Sequence, residues 1–458
     1  VKYEIHLRRH MSRVPRTSTS RAAASAGVRL GERLRQLRVA AGLTQSELAG
    51  ERFSKEYVSQ IERGKTRPAP EAIEWLAERL GVDADFLANG VTADQRGRVE
   101  TALARAEALT EGNREGEAIA ELEDVRTAVL ATGLPELEVR LLAGEAEALA
   151  RTGEVRRAIE LLNRARALTQ EPGFSDVERA DVLFRLGVCR FKLQSIQTAM
   201  GLLNEALLLA ERSGLPCDKL RSAILNWRSR CYRRQRDFEA AREDVERALE
   251  LARGLDDPRA TADLYFQASL VAEREGHWVL ARTYAERAKA YYEDLADRTN
   301  VGRLLNNLGG LNFLLGKADE AVVFLKDAFR AALDVGNEGD AGRVVSSLAH
   351  VHLGRGEVEL AEEQARQALR LLDGRVDFLD AIGSAQLILG RSLIEQGRLD
   401  EAEIELNEAT NSFGQLESIS HRASVWVAQG DLAARRGEDR TAALLYRKAA
   451  EALQDVRF

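Results

Sequence analysis

The side chains here that could do chemistry are few in kind and widely scattered. The six histidines are His6, His10, His277, His350, His352 and His421. His350 and His352 stand two apart, which puts them on different faces of a helix, and no HExxH pairing is present to hold a metal. Cys189, Cys217 and Cys231 are odd in number and include no CxxC, so they make neither a disulfide framework nor a cysteine-rich zinc site. Small core residues in a reducing cytoplasm are the expectation for them. Gly64-Lys65-Thr66 has the ending of a phosphate loop, but Ser59 stands where that loop needs glycine, and no candidate strand precedes it. There is no GxSxG, and carboxylates are spread too evenly for any pair to stand out. These residues imply a protein that is not an enzyme and needs no cofactor and no metal.

Charge is placed less evenly. The formal net charge is −7, yet residues 1–69 hold 15 Lys/Arg against 6 Asp/Glu, while the rest hold 51 against 67. A basic head on an acidic body implies that the head alone meets polyanions. Inside the acidic body, residues 219–236 carry seven Lys/Arg and no acid, which suits an anionic group such as a peptide C-terminus. No apolar run approaches the ~18–20 residues of a membrane span. Residues 1–28 have Arg8, Arg9, Arg13, Arg16 and Arg21 but no apolar core, so they are no secretory signal. They read as a flexible basic leader, with Met11 a second candidate start; the alternative is an arm lying along DNA.

Past Gly90 the chain repeats. Anchors at Ala118, Ala158, Ala199, Ala241, Ala281, Ala321, Ala361, Ala402 and Ala442 are 40–42 residues apart. Seven residues after the anchors, eight of nine positions are again alanine; five before, six of nine are glycine. Each unit therefore reads as one apolar helix, a glycine able to take positive φ, and a second helix. Small residues at i and i+7 share a helical face and allow close helix approach. One such hairpin cannot bury both faces, so neighbours must stack into an α-solenoid.

Residues 304–332, LLNNLGGLNFLLGKADEAVVFLKDAFRAA, resemble a tetratricopeptide repeat, with Leu308-Gly309, Gly316, Ala321, Leu325 and Ala328 in that family's signature places. The resemblance covers about nine units over residues 99–458. The period is longer than usual for the family and is similar to the extended repeats of peptide-sensing bacterial regulators.

The head runs from residue 29 to 88. Leu30, Leu34 and Leu37 share one face of a first helix that Gly42 ends. Thr44 and Glu47 form a capping box for a second helix. Ser54 should cap a third, Lys55 to Arg63, buried through Val58 and Ile61. Pro70 starts a fourth that stops at Gly81. Short helices with a tight turn between the second and third describe a helix-turn-helix. The motifs GLTQSELA (residues 42–49) and VSQIERGK (residues 58–65), with the proline that follows, resemble the Cro/repressor-type (Xre-like) family. The sequence departs from that family at Glu51-Arg52-Phe53, where a small, glycine-containing turn is usual.

The resemblance implies the roles of individual residues. Gln45 would brace the head on a phosphate. Lys55, Glu56, Tyr57 and Gln60 would face base edges in the major groove, where Lys donates to guanine, Gln bridges adenine and Glu accepts from cytosine. Ser59, Arg63, Lys65 and Thr66 would contact the backbone. In the repeats, the first helix of each unit lines the concave face. The resemblance then implies ligand contacts from Arg185, Asn226, Arg230, Arg233, Gln267, Arg303, Asn306, Asn307, Arg343, Ser347 and His350, a mixture suited to a peptide.

The expectation is an all-α protein: a helix-turn-helix domain, a short polar linker at residues 89–98, and a tetratricopeptide-like α-solenoid of about nine ~40-residue hairpins. The whole resembles peptide-sensing transcription regulators. It would act in the cytoplasm as a homodimer on double-stranded DNA, sensing a short peptide or protein. The alternative is a scaffold that docks a partner protein, with the head as tether.

Overall fold

The computed structural model describes residues 19–454 apart from 91, 417 and 418, with side chains described from residue 30. Among the described residues there are 23 α-helices and no strand, as an all-α chain should have. They form two compact units, one up to Leu220 and one from Arg221 onward.

The first unit begins with the head: α1 (Thr19–Ala40), α2 (Gln45–Ala49), α3 (Lys55–Glu62), α4 (Pro70–Leu80) and α5 (Ala84–Asn89). The capping box forms as its residue types require: the Glu47 N–H donates to Thr44 Oγ1 at 3.2 Å, and the Thr44 N–H donates to Glu47 Oε2 at 2.7 Å. Leu34, Leu48, Val58, Ile61 and Leu76 make a dry core. α1 and α3 approach so closely that a Cβ on Gly31 would lie 2.3 Å from the Ile61 carbonyl oxygen, so only glycine fits there. The unusual turn has a packing reason: Phe53 stacks on Tyr57 (5.0 Å between centroids) and meets Trp75 edge-on (5.2 Å).

Two boundaries differ from the sequence reading. α1 starts at Thr19, so residues 19–28 are helical, while residues 1–18, with most of the expected leader, lie outside the described residues. The expected linker at 89–98 is mostly helix, because Thr92 caps α6 (Ala93–Glu111) in a second capping box with Gln95. The polar composition there marks a helix start.

The rest of the first unit is three hairpins: α6 with α7 (Glu115–Thr132), α8 (Pro135–Thr152) with α9 (Val155–Thr169), and α10 (Asp176–Lys192) with α11 (Ile196–Arg212). The second unit holds six: α12 (Asp218–Gln235) with α13 (Phe238–Ala252), α14 (Pro258–Arg274) with α15 (Trp278–Asp294), α16 (Arg298–Leu314) with α17 (Ala318–Asp334), α18 (Glu338–Gly354) with α19 (Val358–Leu371), α20 (Leu379–Glu395) with α21 (Leu399–Gly414), and α22 (Ile419–Arg435) with α23 (Asp439–Gln454).

All nine anchor alanines are buried near the starts of second helices. Every member of the glycine column has positive φ, including Asn113, Gln194 and Arg236, which replace glycine at φ 58–65°. The turn is therefore imposed by the packing of the hairpin, at a conformational cost to those three residues. The three cysteines are buried and unbridged.

Candidate functional site

In the head, Ser54 accepts a hydrogen bond from the Tyr57 N–H at 3.1 Å and so fixes where α3 begins. Val58 and Ile61 point into the core, which leaves Lys55, Glu56, Gln60 and Arg63 exposed. Lys65 is also exposed; Ser59 and Thr66 are half-buried. The Thr66 hydroxyl donates to Gln60 Oε1 at 2.9 Å and orients that amide. Tyr57 is half-buried on Phe53, so part of its ring serves packing.

Gln45 is more engaged than the sequence suggests: its Nε2 donates to Glu62 Oε2 at 2.7 Å. Arg38 reaches the same carboxylate at 2.5 and 3.1 Å. Burial opposes ionisation of Glu62, but the bonds from Arg38 and Gln45 outweigh it and hold the carboxyl below its usual range. This clasp ties α1, α2 and α3 together beneath the exposed face.

The residues expected on the repeats' inner face divide into two groups. In the first unit, Arg185 donates to Asp181 at 2.8 Å and also to Glu147. Burial alone would weaken its charge; the two carboxylates instead hold its pKa above that of an ordinary arginine. In the second unit, Arg303 pairs with Asp340 at 2.9 Å and Arg343 with Asp380 at 2.6 Å. Asn307 donates to Glu273 at 3.0 Å and accepts from Ser269 at 3.1 Å. The Ser347 hydroxyl turns back to the Arg343 carbonyl at 3.2 Å. Apart from Ser347, whose bond lies within α18, these side chains hold helices to one another.

The other group has no such partners. Asn226 Oδ1, Arg230 Nε, Arg233 Nε, Gln267 Nε2 and Asn306 Oδ1 are buried atoms with no hydrogen-bond partner among the described residues. Asn226, Arg230 and Arg233 follow one another at i, i+4 and i+7 along α12, so they share a face. Arg230 lies 4.4 Å over the Trp227 ring. Burial, then Arg230, Arg234 and Arg274, lower the Arg233 pKa to about 10, against a smaller opposing effect of Glu273.

His350 reaches solvent at its surface but is crowded by protein around its ring, where it meets Phe313 edge-on at 5.4 Å. Burial within the face and the nearby Arg391 depress its pKa. Burial, then Arg274 on α14 and Arg234 on α12, depress the pKa of His421 on α22 against an opposing effect of Asp380.

Sequence reasoning missed Arg391 and Arg422, whose Nε atoms are also buried without a partner among the described residues. A signal for Arg391 was present: it stands eleven residues before its anchor, as do Arg230 and His350. Among the described residues no cluster of three or more His, Cys, Asp or Glu side chains could hold a metal.

Known protein families match the head and the repeats separately. Residues 29–89 match the helix-turn-helix domain family. Tetratricopeptide repeat families match residues 143–216, 222–254 and 346–415. The chain is 40% identical over 65 residues to the HTH-type transcriptional regulator DdrOP3 of Deinococcus deserti, a match spanning 14% of this chain and 50% of that relative. Among solved structures, a Rap protein complexed with competence and sporulation factor is similar at 16% identity, over 79% of this chain and 98% of that one, with a TM-score of 0.61. The apo form of the quorum sensor NprR from B. thuringiensis is similar at 14% identity, over 79% of this chain and 99% of that one, with a TM-score of 0.58. At these identities the likeness is one of fold. The matched families are a helix-turn-helix domain and tetratricopeptide repeats.

Proposed function

We propose that this chain, a helix-turn-helix domain followed by tetratricopeptide repeats, is a sequence-specific DNA-binding transcription regulator whose repeats receive a peptide or protein signal. The observation behind the first half is the exposed row Lys55, Glu56, Gln60 and Arg63 on α3, held outward by buried Val58 and Ile61. Such a row offers base-edge donors and acceptors at one end and backbone-seeking charge at the other. The name of the Deinococcus relative, a transcriptional regulator, supports this half. Support for the second half comes from the inner-face atoms left without partners, and from the names of the fold neighbours, one a quorum sensor and one a complex with a signalling factor.

Two heads on half-sites one helical turn apart would multiply a weak affinity, so the working form is a homodimer in the cytoplasm. Signalling requires that the ligand prefer one array conformation; a swing from 1:99 to 99:1 takes about 5.5 kcal/mol of differential binding. The joint through which it would act is short. Asp83 Oδ1 accepts from the Phe86 N–H at 2.9 Å and the Ala93 N–H at 3.4 Å, so it caps α5 and also touches the start of α6. Arg33 on α1 donates to the Leu87 carbonyl at 2.9 Å. A movement of α6 would therefore be felt by the head.

Selection of bound duplexes from a random pool tests the reading and would return a two-fold symmetric site. Against that site, Gln60→Ala should cost about 1–3 kcal/mol and relax one base position. Lys65→Ala should weaken all sequences alike and flatten the salt slope by about one. If no duplex were retained even at low salt, the regulator reading would fail, leaving a repeat scaffold that docks a partner protein.

A further inference from the structure

We propose that the inner face of the second unit is a receptor for an acidic peptide, with Arg230, Arg233, Arg391 and Arg422 taking its carboxylates and Asn226, Gln267 and Asn306 pairing with its backbone. This rests on the reading of the repeats as a peptide sensor and names the chemistry of the peptide.

The first argument is the lack of internal partners. A buried polar atom without a hydrogen bond is costly and therefore rare in a folded protein. Here nine such side chains lie on the first helices of five of this unit's six hairpins, four of them arginines; two of the nine, Asn312 and Ser392, are wholly enclosed in the packing, which leaves seven as ligand candidates. None of the four has a carboxylate within ion-pair distance among the described residues, while Arg228, Arg303 and Arg343 do.

The second argument is that the nearest acids are already occupied. Asp263, the acid that acts most on Arg230, accepts the Tyr292 hydroxyl. Glu273, which acts on Arg233, accepts from Asn307. Asp244, Asp340 and Asp380 are held by Arg228, Arg303 and Arg343. Tyr292 and Asn307 are neutral donors, so Asp263 and Glu273 keep their charge; at Arg233 the effects of Arg230, Arg234 and Arg274 still outweigh that of Glu273, and the lowered pKa values of His350 and His421 respond to nearby arginines as well as to burial.

The third argument separates a peptide from a bare polyanion. A phosphate chain offers acceptors only, which would satisfy the guanidinium groups. Asn226, Gln267 and Asn306 present an acceptor as well as a donor whichever way their amides are turned. A ligand that satisfies both kinds must carry hydrogen-bond donors beside its negative charges. A peptide backbone with Asp or Glu side chains does so.

The test pans the immobilised full-length chain with a pool of random hexapeptides and sequences those retained. Asp and Glu should be strongly enriched. The most enriched peptide, titrated against Arg230→Gln and Arg233→Gln, should bind each variant about tenfold more weakly, the loss of one charge-assisted hydrogen-bonding group. Melting temperatures should hold or rise, since each change removes a charge that has no carboxylate partner. Retained peptides without acidic enrichment, or equal affinity for both variants, would overturn the inference. So would tripolyphosphate binding as tightly as the peptide with the same dependence on Arg230. Neutral peptides that are retained and alter DNA binding would overturn it while sparing the sensor reading. Retention of no peptide at all would overturn both.

Discussion

Arg185 in the first unit and Arg230 in the second are both arginines near the middle of a hairpin's first helix, and a sequence reading ranks them alike. Their surroundings differ. Arg185 is held by Asp181 and Glu147, and Glu147 also receives Arg151 at 3.0 Å. Arg230 leans on Trp227, and its Nε has no partner among the described residues. The first arrangement is complete within the protein, and the second becomes complete only with something added. Residue type and repeat register thus nominate a binding face, whereas the local balance of charge decides which members of it are available.

That contrast can be broken at either end. The largest effect should come from Glu147→Ala, which strips Arg185 and Arg151 of a shared carboxylate. Because the cluster is only part-buried, the cost should be about 1–3 kcal/mol in denaturant unfolding, between the values for exposed and buried pairs. A loss no larger than that of Arg230→Gln would erase the distinction between the two regions.

Next in size are the adjacent amides. Asn307→Ala removes bonds to Ser269 and Glu273 and should cost about 1–2 kcal/mol, while Asn306→Ala should leave melting unchanged and lose the ligand response. Equal melting temperatures for the two variants would show that Asn307 is not a strut.

The smallest effect is in pH. His350 and His421 hold protons less readily when folded than when unfolded. The unfolded chain therefore takes up more protons as pH falls through the ordinary histidine range near about 6.5, and stability falls with it. Changing both residues to Gln should flatten the melting profile between neutral and mildly acidic pH. A bound acidic peptide should flatten it too, by offsetting the arginine field.

Much of the head could be read from the chain because its signals are local. The capping pair Thr44 and Glu47, the cap Ser54, and the stops Gly42 and Gly81 act within a few residues of the elements they define. The linker at 89–98 differs for a related reason: Thr92 and Gln95 cap a helix whose first turn, Ala93-Asp94-Gln95-Arg96, holds no large apolar residue, so no apolar periodicity announces it. On the inner face, Arg391 and Arg422 escaped notice, while Arg303 and Arg343 were counted as free. Which acid lies one hairpin away depends on how the helices stack.

The sequence by itself determined the periodic part of this protein: the alanine anchors, the turn positions and the outward row on α3, because helix geometry converts spacing into facing. Tertiary structure alone decided which turns would strain a non-glycine residue, which arginines would meet a carboxylate, and which would be enclosed without one. Those outcomes depend on distances between residues some 40 positions apart, as with Arg185 and Glu147, separated by 38, and only the packed hairpins fix such distances.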